Sequence, residues 1–238
     1  MGRLSNMKNN LGSIYAVVML GRRPAQVKYV FMIGDRQDNL TESARVAGQI
    51  ADPFADAALD AMWRQRYHPP RYELAELARL PDDTLGGAYA RFMLAHDLKP
   101  DFYENVAARH KMHYLRLRLR QTHDIWHVLS GYDTGLFGEV GLQAFYFAQV
   151  TNGQSALIFG GTLIKCLLRG RFDELERYVA HFCEGYGNGR RAANLLAVRW
   201  ESHWTESLAG LRERYAIVPA GYQTTGRCDP SHPSNIAP

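Results

Sequence analysis

Apolar and polar positions alternate with a helical rhythm along most of the chain. VKYVFMI at 27–33 is an apolar run placed just after Pro24, and Thr41 is positioned to cap a helix over TESARVAGQIA. PFADAALDAMWRQRY opens on Pro53, a residue suited to a first helical turn, and runs to Tyr67, where His68-Pro69-Pro70 stops it. In DDTLGGAYARFMLAHD, Leu85, Ala88, Tyr89, Phe92 and Met93 recur on one helix face, and Asp82, Asp83 and Thr84 are cap candidates. Gly86 and Gly87 weaken that helix without removing its pattern.

Residues 101–130 contain no Gly or Pro. Within them YLRLRLR at 114–120 alternates strictly, which alone is a strand pattern, but the unbroken run into HDIWH favours helix. GYDTG at 131–135 is turn chemistry, and a second long helix is expected to begin near Gly138. Residues 140–164 carry no charge, and TNGQ at 151–154 marks a kink or break inside them. Helical character resumes in RFDELERYVAHF and is expected to break at GYGNG, 185–189. RRAANLLAVRWESHWTESLAGLRERY then reads as one long amphipathic helix. From Pro219 the chain is polar and rich in Pro and Gly.

No β-hairpin or βαβ signal, fixed-period repeat or internal linker interrupts this pattern. The expected fold is all-α, a single-domain helical bundle with a flexible C-terminal tail. The expected divisions are a basic N-terminal segment at 1–25, the all-α domain at 26–218 and a disordered tail at 219–238.

Composition narrows the partners. The chain has 238 residues, 46% hydrophobic and 22% charged, enough for one sizeable core. A net charge of +4 and a pI near 9.0 favour anionic partners such as phosphates or acidic lipid headgroups. The charge is too dispersed for a nucleic-acid surface, so no nucleic acid is expected. Cys166, Cys183 and Cys228 form neither a disulfide framework nor a CxxC motif, which fits a reducing compartment. IYAVVML at 14–20 lacks a small-residue cleavage site and is followed by Arg22 and Arg23, so it does not read as a signal peptide. Residues 1–34 contain no acid, which leaves open a transit-like or membrane-surface segment. No run reaches the roughly 18–20 apolar residues of a spanning helix.

The candidate chemistry lies in HDIWHVLSGYDTGLFGE, 123–139. On a helix His123 and His127 stand one turn apart on one face, a spacing that lets two imidazoles share one metal ion. Asp124 reaches the same side from the neighbouring row. Glu139 closes the set if GYDTG folds the chain back. It lies in apolar surroundings, where a carboxylate is costly unless paired or metal-bound. Two imidazoles and two carboxylates suit a divalent metal ion, and the donor types do not choose among zinc, iron(II), manganese and cobalt. Surface histidines, or core histidines bonded to carbonyls, remain the alternative. HExxH does not occur. An HD-phosphohydrolase reading lacks a distal aspartate, and His110 and His113 lie too close for its usual spacing.

These residues resemble the coenzyme Q (ubiquinone) biosynthesis protein 4 family. Its signature is His-Asp-x-x-His, eleven residues, then Glu, and His123, Asp124, His127 and Glu139 fill every position. LARLPDDTLGGAYARFM at 77–93 and WESHWTESLAGLRERYAI at 200–217 are also similar to the family, so the likeness spans about 70–218. The resemblance implies an all-α metal-binding domain with those four residues as ligands. It implies oxidative decarboxylation and hydroxylation at ring carbon one of a polyprenyl benzoate intermediate. The alternative it carries is a non-enzymatic isoprenoid-lipid-binding scaffold that organises a ubiquinone-synthesis complex.

The expected partners are therefore a polyprenylated quinone precursor or other isoprenoid lipid, other ubiquinone-biosynthesis proteins and a membrane surface, with a homodimer as one expected assembly. The expected location is cytoplasmic or peripheral to the inner membrane. The charge-free stretch 140–164 either lines a groove for an isoprenoid tail or forms bundle core. Phe159–Thr162 (FGGT) and Gly153 suit close helix approach or room for lipid. Arg116, Arg118 and Arg120 either meet an acidic headgroup or substrate carboxylate, or form a solvated face.

Overall fold

The structure is a computed structural model that describes residues 44–100 and 108–221. The expected basic segment 1–25, the run at 27–33, the Thr41 cap and residues 222–238 of the expected tail lie outside the described residues. The described residues form α1 (Ala57–Arg64), α2 (Leu74–Leu77), α3 (Leu85–Ala95), α4 (Lys111–Gln121), α5 (His123–Ser130), α6 (Leu136–Gln149), α7 (Gly153–Leu168), α8 (Phe172–Arg191) and α9 (Leu208–Arg214). They include no β-strand, in line with the all-α expectation; Thr84 and Ser207 make one isolated bridge.

Local chemistry explains most helix starts. Thr84 accepts from Gly87 N, Asn152 from Ser155 N and Ser207 from Gly210 N. YLRLRLR is helical within α4, with no break to release it into a strand. The stretch from Pro53 is not one helix as the pattern suggested. Pro53–Ala55 forms a separate 3-10 turn, and α1 starts afresh because extended Asp56 caps Ala58 N and Leu59 N. The long helix after GYDTG begins at Leu136, slightly before the expected Gly138.

Two larger expectations are overturned. GYGNG does not interrupt α8, which continues through it to Arg191. The glycines there let α8 lie on the backbone of α6: a Cβ at Gly185 would stand 2.0 Å from the Gly141 carbonyl oxygen, and one at Gly189 2.7 Å from that of Phe145. The chain after Arg191 is not one long helix either. Residues 192–199 are irregular, Trp200–Ser202 is a 3-10 turn, and only Leu208–Arg214 is helical. Competing partners hold this segment open: Ala193 N donates to Tyr215 O (2.9 Å), and Leu195 N to Gln149 Oε1 (2.9 Å).

Trp200 is fully buried in a core that includes Leu59, Leu85, Met93, Trp126 and Leu142. Beside it Glu201 meets Arg118 in a buried bidentate pair at 2.9 and 3.1 Å. Arg118 is thus neither a solvated side chain nor a ligand for an external anion; its charge is already matched. The expected loose tail is also pinned at its start, since Ala220 N donates to Ser130 O at 2.7 Å.

The charge-free stretch divides in two. α6 is largely core, with Leu142, Ala144 and Phe145 inaccessible, whereas α7 buries only Ser155 and Cys166. TNGQ marks the junction between them, as its composition suggested. Cys166 and Cys183 are both free thiols.

Candidate metal centre

α5 brings the HDxxH residues into register. It starts directly after α4, with Thr122 both ending the one and preceding the other, and stops at Gly131 in the left-handed conformation (φ 74°). The chain then turns sharply through Asp133, whose carboxylate accepts from Gly135 N at 2.8 Å. Gly138 fits against that turn, where a Cβ would lie 2.2 Å from Asp133 O. This contact seats the first turn of α6 beside α5 and points Glu139 at the histidines.

The resulting cluster is tight. His127 Nε2 lies 3.3 Å from His123 Nε2 and 3.2 Å from Glu139 Oε1, and His123 Nε2 lies 3.8 Å from the same oxygen. Ligand atoms of His123, Asp124 and His127 also fall within 4.8 Å of one another. The two histidines thus have both predicted carboxylates as neighbours, Glu139 within the first set of distances and Asp124 within the second.

The proton inventory makes this arrangement informative. His127 Nδ1 is 2.8 Å from Tyr132 O, and a carbonyl can only accept, so Nδ1 carries the hydrogen. In the neutral ring Nε2 then presents a lone pair to His123 Nε2 and to the Glu139 carboxylate. Several electron-rich atoms at these distances need a proton or a cation between them. Donor atoms about 2.1 Å from one ion stand about 3.0–3.4 Å apart, close to the spacing here. The donor set and its spacing thus fit a divalent ion.

Without an ion the cluster holds a proton instead. Burial opposes charging His123, but the hydrogen bond and charge of Glu139 outweigh it and raise its pKa above the ordinary value. Burial also penalises the Glu139 carboxylate, yet His123 and His127 hold it well below the usual range.

Supporting groups were not legible in the motif. Tyr146 stacks on Trp126 with centroids 4.4 Å apart, and its hydroxyl lies 3.4 Å from His123 Nδ1. Phe92 stacks against His127 at 5.5 Å. Asn188 on α8 donates to the Tyr132 hydroxyl (3.2 Å), steadying the residue whose carbonyl orients His127. Tyr146 lies seven residues beyond Glu139, two helical turns along α6, and that spacing was the one available signal for it.

An all-α fold with two histidines and two carboxylates converging across a helix–turn–helix junction defines a candidate metalloprotein. The family profile described as Coenzyme Q (ubiquinone) biosynthesis protein Coq4 matches residues 59–221, and the chain belongs to that family. It is similar to the Ubiquinone biosynthesis protein COQ4 homolog, mitochondrial, of Drosophila ananassae, 29% identical over 160 residues, covering 65% of this chain and 58% of the relative. The rat protein of the same description is 31% identical over 163 residues, covering 66% and 58%. The chain thus matches rather less than two thirds of the length of these relatives. Among solved structures, a candidate ubiquinone biosynthesis protein from Nostoc punctiforme superposes with a TM-score of 0.72 at 30% identity, covering 87% of this chain and 97% of that one.

Proposed function

We propose that this chain is a metal-dependent enzyme of ubiquinone biosynthesis that performs oxidative decarboxylation and hydroxylation at ring carbon one of a polyprenyl benzoate. The convergence of His123 Nε2, His127 Nε2 and Glu139 Oε1 carries the reading. His123, Asp124, His127 and Glu139 would hold one divalent ion, with zinc, iron, manganese and cobalt all compatible with the donors. When bound, the ion supplies a positive charge to neutralise the substrate carboxylate and, if redox-active, a centre for dioxygen chemistry. The carboxyl leaves as carbon dioxide, one oxygen atom of dioxygen becomes the ring hydroxyl, and an external reductant turns the other into water.

The residues of the chain define the rest. His127 is sealed in, while the side chains of His123 and Glu139 are 30% and 35% exposed, so the cluster opens on one side to a substrate head. Tyr132 O fixes the His127 tautomer, and Tyr146 and Trp126 hold the plane of His123. The site's partners in this reading are a polyprenylated quinone precursor and the other proteins of the pathway. No helix among the described residues is long and apolar enough to cross a membrane, and the named relatives are described as mitochondrial, so a place on the surface of an inner membrane fits both observations.

A second reading keeps the metal structural and makes the chain an isoprenoid-lipid-binding scaffold; the sparsely covered α7 favours it. One experiment separates the two. Purified protein is loaded with a defined ion and given a polyprenyl hydroxybenzoate, reductant and oxygen, beside His127→Gln. The enzyme reading expects product from the wild type and none from a variant that keeps its helical spectrum and its complex. Equal turnover by the variant, or by metal-stripped protein, would sink it.

A further inference from the structure

The junction of α7 and α8 exposes apolar side chains that the site does not use. Leu168 is 82% exposed, Phe172 63%, Ile164 58% and Leu167 52%. They form one protrusion, because Gly170 (φ 65°) reverses the chain between the helices. A Cβ at Gly170 would meet nothing within 4 Å, so the turn stands clear of the remaining fold. Isolated exposed leucines are ordinary, but four large apolar residues within nine positions are not.

Charge identifies what would cover them. Residues 164–174 read IKCLLRGRFDE, in which Lys165, Arg169 and Arg171 outnumber Asp173 and Glu174 and leave a net charge of +1. Arg171 turns back to Glu174 at 2.5 Å, so Lys165 and Arg169 are the cations that belong to the tip itself. Apolar residues at a turn, flanked by cations, match the boundary between acyl chains and anionic headgroups. A second copy of the chain would bring a second set of the same cations against them.

Position adds an independent argument. The connection at 150–152 is short, so α7 returns antiparallel to α6 and its C-terminal end lies beside the start of α6. Phe137 and Val140, on either side of Glu139, pack in one cluster with Leu163, Cys166 and Tyr178. The protrusion and the His–Glu cluster therefore occupy the same end of the α6–α7–α8 layer.

We infer that the α7–α8 tip, led by Leu167, Leu168 and Phe172, is the element that docks this protein on an anionic phospholipid surface. The inference goes beyond the proposed reaction and does not depend on it. The test uses the full chain and sedimentation with vesicles of phosphatidylglycerol and phosphatidylcholine, or of phosphatidylcholine alone. The wild type is expected to sediment with the anionic vesicles, less so as salt rises. Leu168→Glu/Phe172→Glu is expected to lower the partition constant by about tenfold or more. Arg169→Glu is expected to weaken binding several-fold at low salt only.

Val46→Glu, at a residue equally exposed in the described structure, should leave binding unchanged. Helical spectrum and bound metal, measured on every variant, separate failure of the tip from failure of the site. Wild-type binding by the double variant, absence of wild-type binding to anionic vesicles, or a dimer that the double variant dissociates while vesicle binding persists would each overturn the inference.

Discussion

Replacing Gly185 by Ala tests the contact that fixes α6, and with it Glu139, against α8. In an exposed helix interior the change would stabilise by about 0.5–1 kcal/mol, because Gly loses more backbone freedom on folding. Here the added Cβ would stand 2.0 Å from Gly141 O and 3.0 Å from Gly141 Cα, and both are backbone atoms that no rotamer change can move. The helices must part by about 1 Å, which loosens every neighbour along the seam. Overpacking of this kind costs about 1–3 kcal/mol, which outweighs the propensity gain, so steric strain wins. The expected result is a net loss of about 1–2 kcal/mol, or roughly 2–8 °C in Tm at this size.

Gly187→Ala is the internal control. Its Cβ would approach only Arg191 Nη1, at an ordinary 3.6 Å, so it should be neutral or stabilise by up to about 1 kcal/mol. Urea unfolding of wild type and both variants gives the comparison directly. If Gly185→Ala is as stable as Gly187→Ala, α6 and α8 do not meet in a close backbone seam.

Three further outcomes follow from the same geometry. Glu201→Gln should cost about 3–5 kcal/mol in urea unfolding by stranding buried Arg118, whereas Arg118→Met/Glu201→Leu should cost much less than either single change; a loss below about 1 kcal/mol for Glu201→Gln would place the pair at the surface. In metal-free protein the lowered Glu139 pKa adds stability that is present above pH 4.5 and lost as pH falls through the depressed value. The raised His123 pKa adds stability that is present below pH 6.5 and lost as pH rises through the higher value. Unfolding across pH should therefore show a maximum between those two limits that Glu139→Gln flattens, and an unaltered profile for the variant would refute the pairing. Tyr146→Phe should weaken metal affinity about tenfold through the orientation of His123, read by competition with a chelator; unchanged affinity would remove Tyr146 from the site's support.

The sequence pattern located helices well where their signals were local. Thr84, Gly131 and the TNGQ junction each act within one turn of the chain, and each does in the structure what its residue type suggests. The misreadings share one cause. GYGNG looks like a helix breaker because glycine is a poor helix former in isolation, but its role is set by a backbone 44 residues away, at Gly141. Residues 192–207 have a helical apolar rhythm, yet Trp200 and Glu201 serve the core and Arg118 rather than a helix face. Arg118 sat among alternating arginines with nothing local to show that its partner lay 83 residues on. Long-range pairing overrides propensity at these positions, and single-sequence periodicity does not register it.

The candidate site was more legible than the fold because its donors are dictated by short-range geometry. A separation of four on α5 sets His123 and His127 one turn apart on one face whatever surrounds them, and their Nε2 atoms are 3.3 Å apart. Glu139 is the demanding case, since eleven intervening residues permit many placements. What narrows them is the turn: left-handed Gly131, the Asp133–Gly135 bond, and Gly138 with room only for hydrogen against Asp133 O. Those glycines are part of how the donor set is built, because a methyl at Gly138 would force the start of α6 away from α5 and carry Glu139 with it. The supporting groups stayed hidden for the opposite reason. Tyr132 acts through its backbone carbonyl, which no side-chain pattern announces, and Tyr146 acts from two turns along a helix whose other residues are core. A cluster of candidate donors is thus readable where helix period and turn chemistry fix it, while the groups that orient it are readable only once the helices have packed.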